Sequence, residues 1–134
     1  MAASPSESRA LEGEQDVVVA RQVVRRAAQG LGFSLVDQTK IVTATSELAR
    51  NTVKHGLGGR MDMEVINTGP RNGLRLTFTD QGPGIADIHR AMTDGYTTGK
   101  GLGMGLSGAK RLVNEFEIES APGKGTRVTI VRWR

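Results

Sequence analysis

The apolar positions of the chain change period several times, and each change marks an element. From Asp16, Val17, Ala20, Val24, Ala27 and Leu31 recur at helical spacing while Arg21, Arg25 and Arg26 take the other face, and Gly30 and Gly32 end the run. This predicts an amphipathic helix with a solvated basic side. Ser34-Leu-Val-Asp37 resembles a capping box and opens a second helix running to His55, where Gly56, Gly58 and Gly59 stop it. Ile41, Thr45, Leu48 and Thr52 form one stripe of that helix; Lys40, Thr43, Glu47, Asn51 and Lys54 form the opposing polar stripe. The period then falls to two. Met61, Met63 and Val65 alternate with Asp62 and Glu64, Gly69-Pro-Arg-Asn-Gly73 supplies turn chemistry, and Leu74, Leu76 and Phe78 alternate with Arg75, Thr77 and Thr79. The pattern is an antiparallel hairpin. A short helix is expected around residues 86–92, then a Gly/Thr-rich segment over 94–105 and a helix to about Asn114. A strand through Phe116 and Ile118, a turn at residues 121–125 and a last strand to Trp133 complete the chain. Residues 1–8 lack any pattern and read as a disordered arm, a short edge strand is expected over 9–13, and one domain spans 9–134.

Alternation also places two polar side chains among apolar ones. Asp80 continues the parity of Leu74, Leu76 and Phe78, and Thr126 shares the parity of Val128 and Ile130, so both are expected on the core side of their strands. A carboxylate turned toward an apolar layer is costly unless it holds a donor. The exocyclic amino group of adenine is one such donor, and Thr126 can accept or donate beside it.

Composition narrows the chemistry. The 134 residues suffice for one domain with a real core. The absence of cysteine excludes a disulfide framework and a thiolate zinc site, and His55 and His89 are the only histidines. Any metal is therefore expected to be a hard cation held by oxygen and by a ligand's phosphates. No signal-like h-region or membrane-length apolar run is present, which predicts a soluble, cytoplasmic protein that does not engage a membrane. The net charge of +4 comes from dispersed basic residues, and aromatics make up 4% of the chain. Few stacking platforms follow, so the charge is expected to serve an anionic cofactor rather than nucleic acid.

Glu47 and Asn51 stand one helical turn apart and project together. Gly82 and Gly84, around Pro83, let backbone approach a flat ligand closely. Gly99, Gly101, Gly103 and Gly105 crowd the entrance of a helix, where free N–H groups and the positive helix end favour phosphate. Residues 103–108 match the dinucleotide fingerprint, but no strand directly precedes them and the order of elements is not a βαβ unit. No Walker loop and no H-R-D loop occurs.

Four motifs in order carry a resemblance. Glu47-Leu-Ala-Arg-Asn51 resembles the N box, residues 80–84 the G1 box, residues 101–105 the G2 box and Gly125-Thr126 the final box of the GHKL ATP-binding superfamily, from about residue 14 to the C-terminus. Within it, residues 46–51, 94–99 and 108–116 are most similar to the bacterial switch kinases of the RsbT type, related to the anti-sigma kinases RsbW and SpoIIAB. The resemblance implies an α+β fold, a two-layer sandwich with helices on one face of a mainly antiparallel sheet and ATP between the layers. It implies Mg²⁺ on Asn51, Glu47 as catalytic base, adenine on Asp80 with help from Thr126, and close backbone approach at Gly82 and Gly84. Gly101, Leu102, Gly103, Met104, Gly105 and Leu106 become the ATP lid. The implied activity is serine/threonine phosphorylation of STAS-domain antagonist or scaffold proteins in a partner-switching stress response. The implied alternatives are sequestration of a sigma factor and docking on a PP2C-type phosphatase. The catalytic half of a sensor histidine kinase is not expected, since neither histidine precedes Glu47.

Overall fold

A computed structural model of the chain describes residues 6–88, 92 and 105–134. In chain order the elements are β1 (Ser6–Leu11), α1 (Glu14–Gly30), α2 (Leu35–Lys54), β2 (Gly59–Thr68), β3 (Arg71–Asp80), α3 (Gly105–Arg111), β4 (Glu115–Ser120) and β5 (Thr126–Trp133). The strands form one sheet in the order β1-β2-β3-β5-β4, and every neighbouring pair is antiparallel. Among the described residues the helices pack on one face of this sheet, giving the two-layer α+β sandwich that the sequence predicts.

Period-two alternation decides which side of each strand is dry. Met61, Met63, Leu74, Leu76, Phe78, Val128 and Ile130 are all buried, and the register sets Met61 against Phe78 and Leu76 against Ile130 on the same face. Val17, Ala20 and Val24 of α1 and Ile41, Leu48 and Ala49 of α2 close the core from above. The other face of the sheet is polar along its middle, where Thr77 lies opposite Thr129. Near one end Val131 is buried on that face between Arg75 and Glu115. The Trp133 indole lies close to Gly73 there, donates its N–H to Glu115 at 3.3 Å and receives the Arg71 guanidinium at 4.5 Å from its ring centre.

Helix boundaries follow local chemistry. Ser34 caps α2, its hydroxyl accepting the Asp37 N–H at 3.1 Å. The helix expected to reach Asn114 instead ends at Arg111. Asn114 is drawn off by the neighbouring strand: its N–H donates to the Val131 carbonyl at 2.9 Å and its side-chain oxygen accepts the Trp133 N–H at 2.7 Å. At the other end of the chain β1 starts at Ser6, so residues 6–8, expected in the arm, pair with β2 from Ser6↔Glu64 to Ser8↔Asp62. An edge strand needs only ladder bonds and one anchor, here the fully buried Leu11, so it leaves almost no hydrophobic pattern to read. Of the expected helix at 86–92, residues 89–91 lie outside the described residues, and the Met92 N–H donates to the Ile88 carbonyl at 3.0 Å.

One ion pair crosses the layers. Arg132 on β5 donates to Asp37 at 2.6 Å and to the Leu112 carbonyl at 2.9 Å, tying the start of α2 to the last strand and to the end of α3. The hydrogen bond from Arg132 is the main cause holding the Asp37 carboxyl below the ordinary carboxylate range. A depressed folded-state pKa contributes stability that is complete above the unfolded value and lost as pH falls through the folded one. Asp37→Asn, which keeps an acceptor oxygen for Arg132 but removes the charge, is therefore expected to lower stability at pH 7 by about 1 kcal/mol, the difference between a charge-assisted and a neutral bond. Denaturant melts of both proteins across pH check this, and the gap between them should close below about pH 4.

Candidate functional site

The layers part at the C-terminal half of α2, enclosing a cavity of about 450 Å³. Leu48, Asn51, Thr52, His55 and Gly56 form its wall on the helix side, and Phe78, Asp80, Thr126 and Val128 form its floor on the sheet. The loop from Pro83 to Asp87 and the start of α3, Gly105 and Leu106, complete the rim. Apolar flanks with a few convergent polar groups are what a flat organic ligand requires.

Asp80 is the buried acid at the bottom. Only 8% of it is exposed, and its Oδ1 accepts the Gly82 N–H at 2.9 Å. Close backbone approach explains the glycines around it. A Cβ on Gly56 would overlap the Asp80 carboxylate, one on Gly82 would meet the Gly56 backbone, and one on Gly84 would overlap the Ala121 carbonyl. Gly84 also has φ +78°, which an L side chain rarely adopts. The loops are thus locked together by contacts that no side chain permits, and the carboxylate is fixed among them.

Across the ladder Asp80 pairs with Thr126, so the parity reading holds for both: carboxylate and hydroxyl stand on the same face at the edge of the cavity. A second hydroxyl, which the sequence reading passed over, joins them. Ser120 Oγ lies 2.8 Å from Thr126 Oγ1, 2.8 Å from the Ile85 N–H and 2.9 Å from the Gly125 carbonyl. Ser120 follows Phe116 and Ile118 at period two, so the signal that found Asp80 and Thr126 was there to find it as well.

On α2 the helical spacing brings Asn51 to the cavity wall. Glu47, one turn earlier, is not among the residues lining the cavity and lies 3.9 Å from the exposed Arg50. His55, at the helix end, does line the cavity. From Lys54, its last residue, to Glu47 α2 rises about 10 Å at 1.5 Å per residue, with Gly56 just beyond against Asp80. That puts the Asp80 and Thr126 acceptors at one end and the Glu47 carboxylate at the other. Gly105 and Leu106 reach the rim, whereas Gly101, Leu102, Gly103 and Met104 lie outside the described residues. Among the described residues no group of three or more His, Cys, Asp or Glu is placed to hold a metal. A hard cation carried by phosphates and one amide oxygen would need no such group, and the Asn51 amide lies on the cavity wall.

With this geometry in hand, comparison with known proteins decides the family. The model of the histidine kinase-, DNA gyrase B-, and HSP90-like ATPase family matches residues 36–134. The chain belongs to this family. Within it, the chain is similar to the serine/threonine-protein kinase RsbT of Bacillus subtilis (strain 168), 46% identical over 120 residues, with 90% of each chain covered. It is also 32% identical over 127 residues to an anti-sigma F factor of Thermoanaerobacter sp. (strain X514), covering 92% of this chain and 89% of the relative. A crystal structure of the RsbU and RsbW domains of a Mycobacterium tuberculosis protein superposes with a TM-score of 0.68 at 22% identity. It covers 98% of this chain and 33% of that one, and supports the fold alone. No described helix is long and apolar enough to cross a membrane.

Proposed function

We propose that this ATPase-family chain is an ATP-dependent serine/threonine protein kinase of a bacterial partner-switching stress response, acting in the cytoplasm on STAS-domain antagonist or scaffold proteins. The observation that carries the reading is that Asp80 and Thr126 stand at one end of the cavity between α2 and the sheet, with Asn51 and then Glu47 following along α2. The near full-length similarity to a protein named as a serine/threonine-protein kinase supports it.

Asp80 and Thr126 receive the exocyclic amino group of adenine, and Phe78, Leu48 and Val128 exclude water from the ring. This anchors the nucleotide so that its phosphates run along α2 toward Gly105. Asn51 would hold Mg²⁺ through its amide oxygen, and the ion supplies neutralisation of phosphate charge when bound. Glu47 takes the proton of the partner's serine or threonine hydroxyl as that oxygen bonds to the γ-phosphorus. The bond from the γ-phosphorus to the bridging oxygen breaks, and its electron pair leaves with ADP. Positioning and a base are sufficient, because the transition state is loose and asks for little covalent help.

A second reading, sequestration of a sigma factor, is favoured by the similarity to a protein named anti-sigma F factor. Docking on a PP2C-type phosphatase is compatible with either. Intact-mass analysis of STAS-domain proteins incubated with the chain and Mg·ATP separates them: the kinase reading expects one phosphate on a serine or threonine. A sigma factor retained unmodified, with no STAS protein phosphorylated, overturns it in favour of sequestration. Asn51→Ala is expected to leave ADP binding without magnesium within threefold of wild type and to remove most of the gain that magnesium gives, as calorimetry with and without the metal would show.

A further inference from the structure

Ser120 touches no residue of α2 in its hydrogen bonding, yet it decides what Thr126 offers to the cavity. A serine hydroxyl has one proton to give and two lone pairs to receive with. The Ile85 N–H can only donate, so it takes one lone pair, and the Gly125 carbonyl can only accept, so it takes the proton. The contact with Thr126 at 2.8 Å is then a hydrogen bond in one sense alone, with Thr126 donating to the remaining lone pair of Ser120. The Thr126 proton is committed away from the cavity, and its oxygen faces the cavity as an acceptor.

We infer that Ser120 is a positioning residue for nucleotide selectivity: by holding the Thr126 proton it sets two acceptors, Thr126 and Asp80, side by side, and so selects a 6-amino purine against a 6-oxo purine. The inference rests on the reading of this cavity as a nucleotide site. Asp80 is fixed as an acceptor by its own charge and spends one of its lone pairs on the Gly82 N–H. Thr126, being a hydroxyl, is an acceptor only while something else holds its proton. In the geometry that welcomes an amino group, a 6-oxo group meets two oxygen lone-pair regions and no donor. With Ser120 truncated, Thr126 regains the freedom to turn its proton toward the cavity and to meet such a group.

The register explains why the device works at a distance. Ser120 pairs with Thr126 across β4 and β5, and Thr126 pairs with Asp80 across β5 and β3, so the three side chains lie in one row across the sheet. Through Ile85 the same hydroxyl holds the loop that forms the cavity rim.

The test is binding of ADP and of inosine diphosphate, which replaces the 6-amino group by oxygen, measured by calorimetry on the full chain. Wild type is expected to prefer ADP strongly. Ser120→Ala should weaken ADP by about tenfold, the scale of one lost buried hydrogen bond, while changing the inosine nucleotide by less than threefold. Thr126→Val should narrow the ratio similarly without disturbing the bonds to Ile85 and Gly125, and adding Ser120→Ala to it should narrow it no further. Ser120→Thr, which keeps the hydroxyl, should restore the wild-type ratio. Equal loss for both nucleotides in Ser120→Ala, or an unchanged ratio, overturns the selectivity role, because a merely structural loosening moves both alike. A wild-type chain that binds neither nucleotide overturns the nucleotide reading itself.

Discussion

Phosphate transfer by a Glu47→Gln variant is expected to fall by about 10²- to 10⁴-fold, the usual worth of a positioned general base, with ADP affinity within threefold of wild type. The split follows from position. Glu47 shares the face of α2 with Asn51 but is not among the residues lining the cavity, so its replacement is expected to affect transfer and not nucleotide affinity. Glutamine keeps the size and removes the proton-accepting charge. The pair with Arg50 is 3.9 Å long and partly exposed, so it contributes little to stability and the variant should melt close to wild type. Single-turnover transfer with calorimetry on the same preparation checks both halves. Transfer at the wild-type rate would remove Glu47 from the chemistry, and a parallel loss of ADP affinity would make it a binding residue instead.

Asp80→Asn is expected to weaken ADP and ATP about a hundredfold, close to 2.7 kcal/mol. Asparagine can still accept the Gly82 N–H through its oxygen, so the loop and the fold are expected to survive. What changes is the other half of the group, which becomes an NH₂ donor facing the donor of the ring. Asp80 is only 8% exposed, so water screens that mismatch poorly. Calorimetric titration with ADP, beside a thermal melt that reports retention of fold, measures it. Affinity within threefold of wild type would place the base elsewhere in the cavity.

Much of this arrangement was legible in the chain because strand parity is a strict rule. A two-residue repeat obliges Asp80 to sit where Phe78 and Leu76 sit, and an acid among such neighbours signals a ligand. Helical spacing did the same for Asn51, whose place on the cavity wall follows from the polar stripe of α2. The pairing of Arg132 with Asp37 was not legible, since it joins residues 95 apart in sequence and no periodicity links them. Nor was the β1 start at Ser6, where pairing to β2 orders residues that carry no apolar repeat. The passing over of Ser120 was of another kind. Its parity was readable, but a serine at the end of a strand looks like turn chemistry, and only its three partners reveal that it has a proton to assign. Gly56 was read as a helix stop, whereas its contact with the Asp80 carboxylate shows that the cavity floor also depends on it.

The proposed chemistry requires one placement, that of the nucleotide between α2 and the sheet. Titration of Mg·ATP into ¹⁵N-labelled protein, followed by amide spectra, tests it most directly. Shifts concentrated at residues 80–85, at Gly125 and Thr126 and along the second half of α2, with Thr77, Thr129 and β1 unmoved, are the predicted result. A spectrum that does not change, or one whose changes gather on the outer face of the sheet, would contradict it.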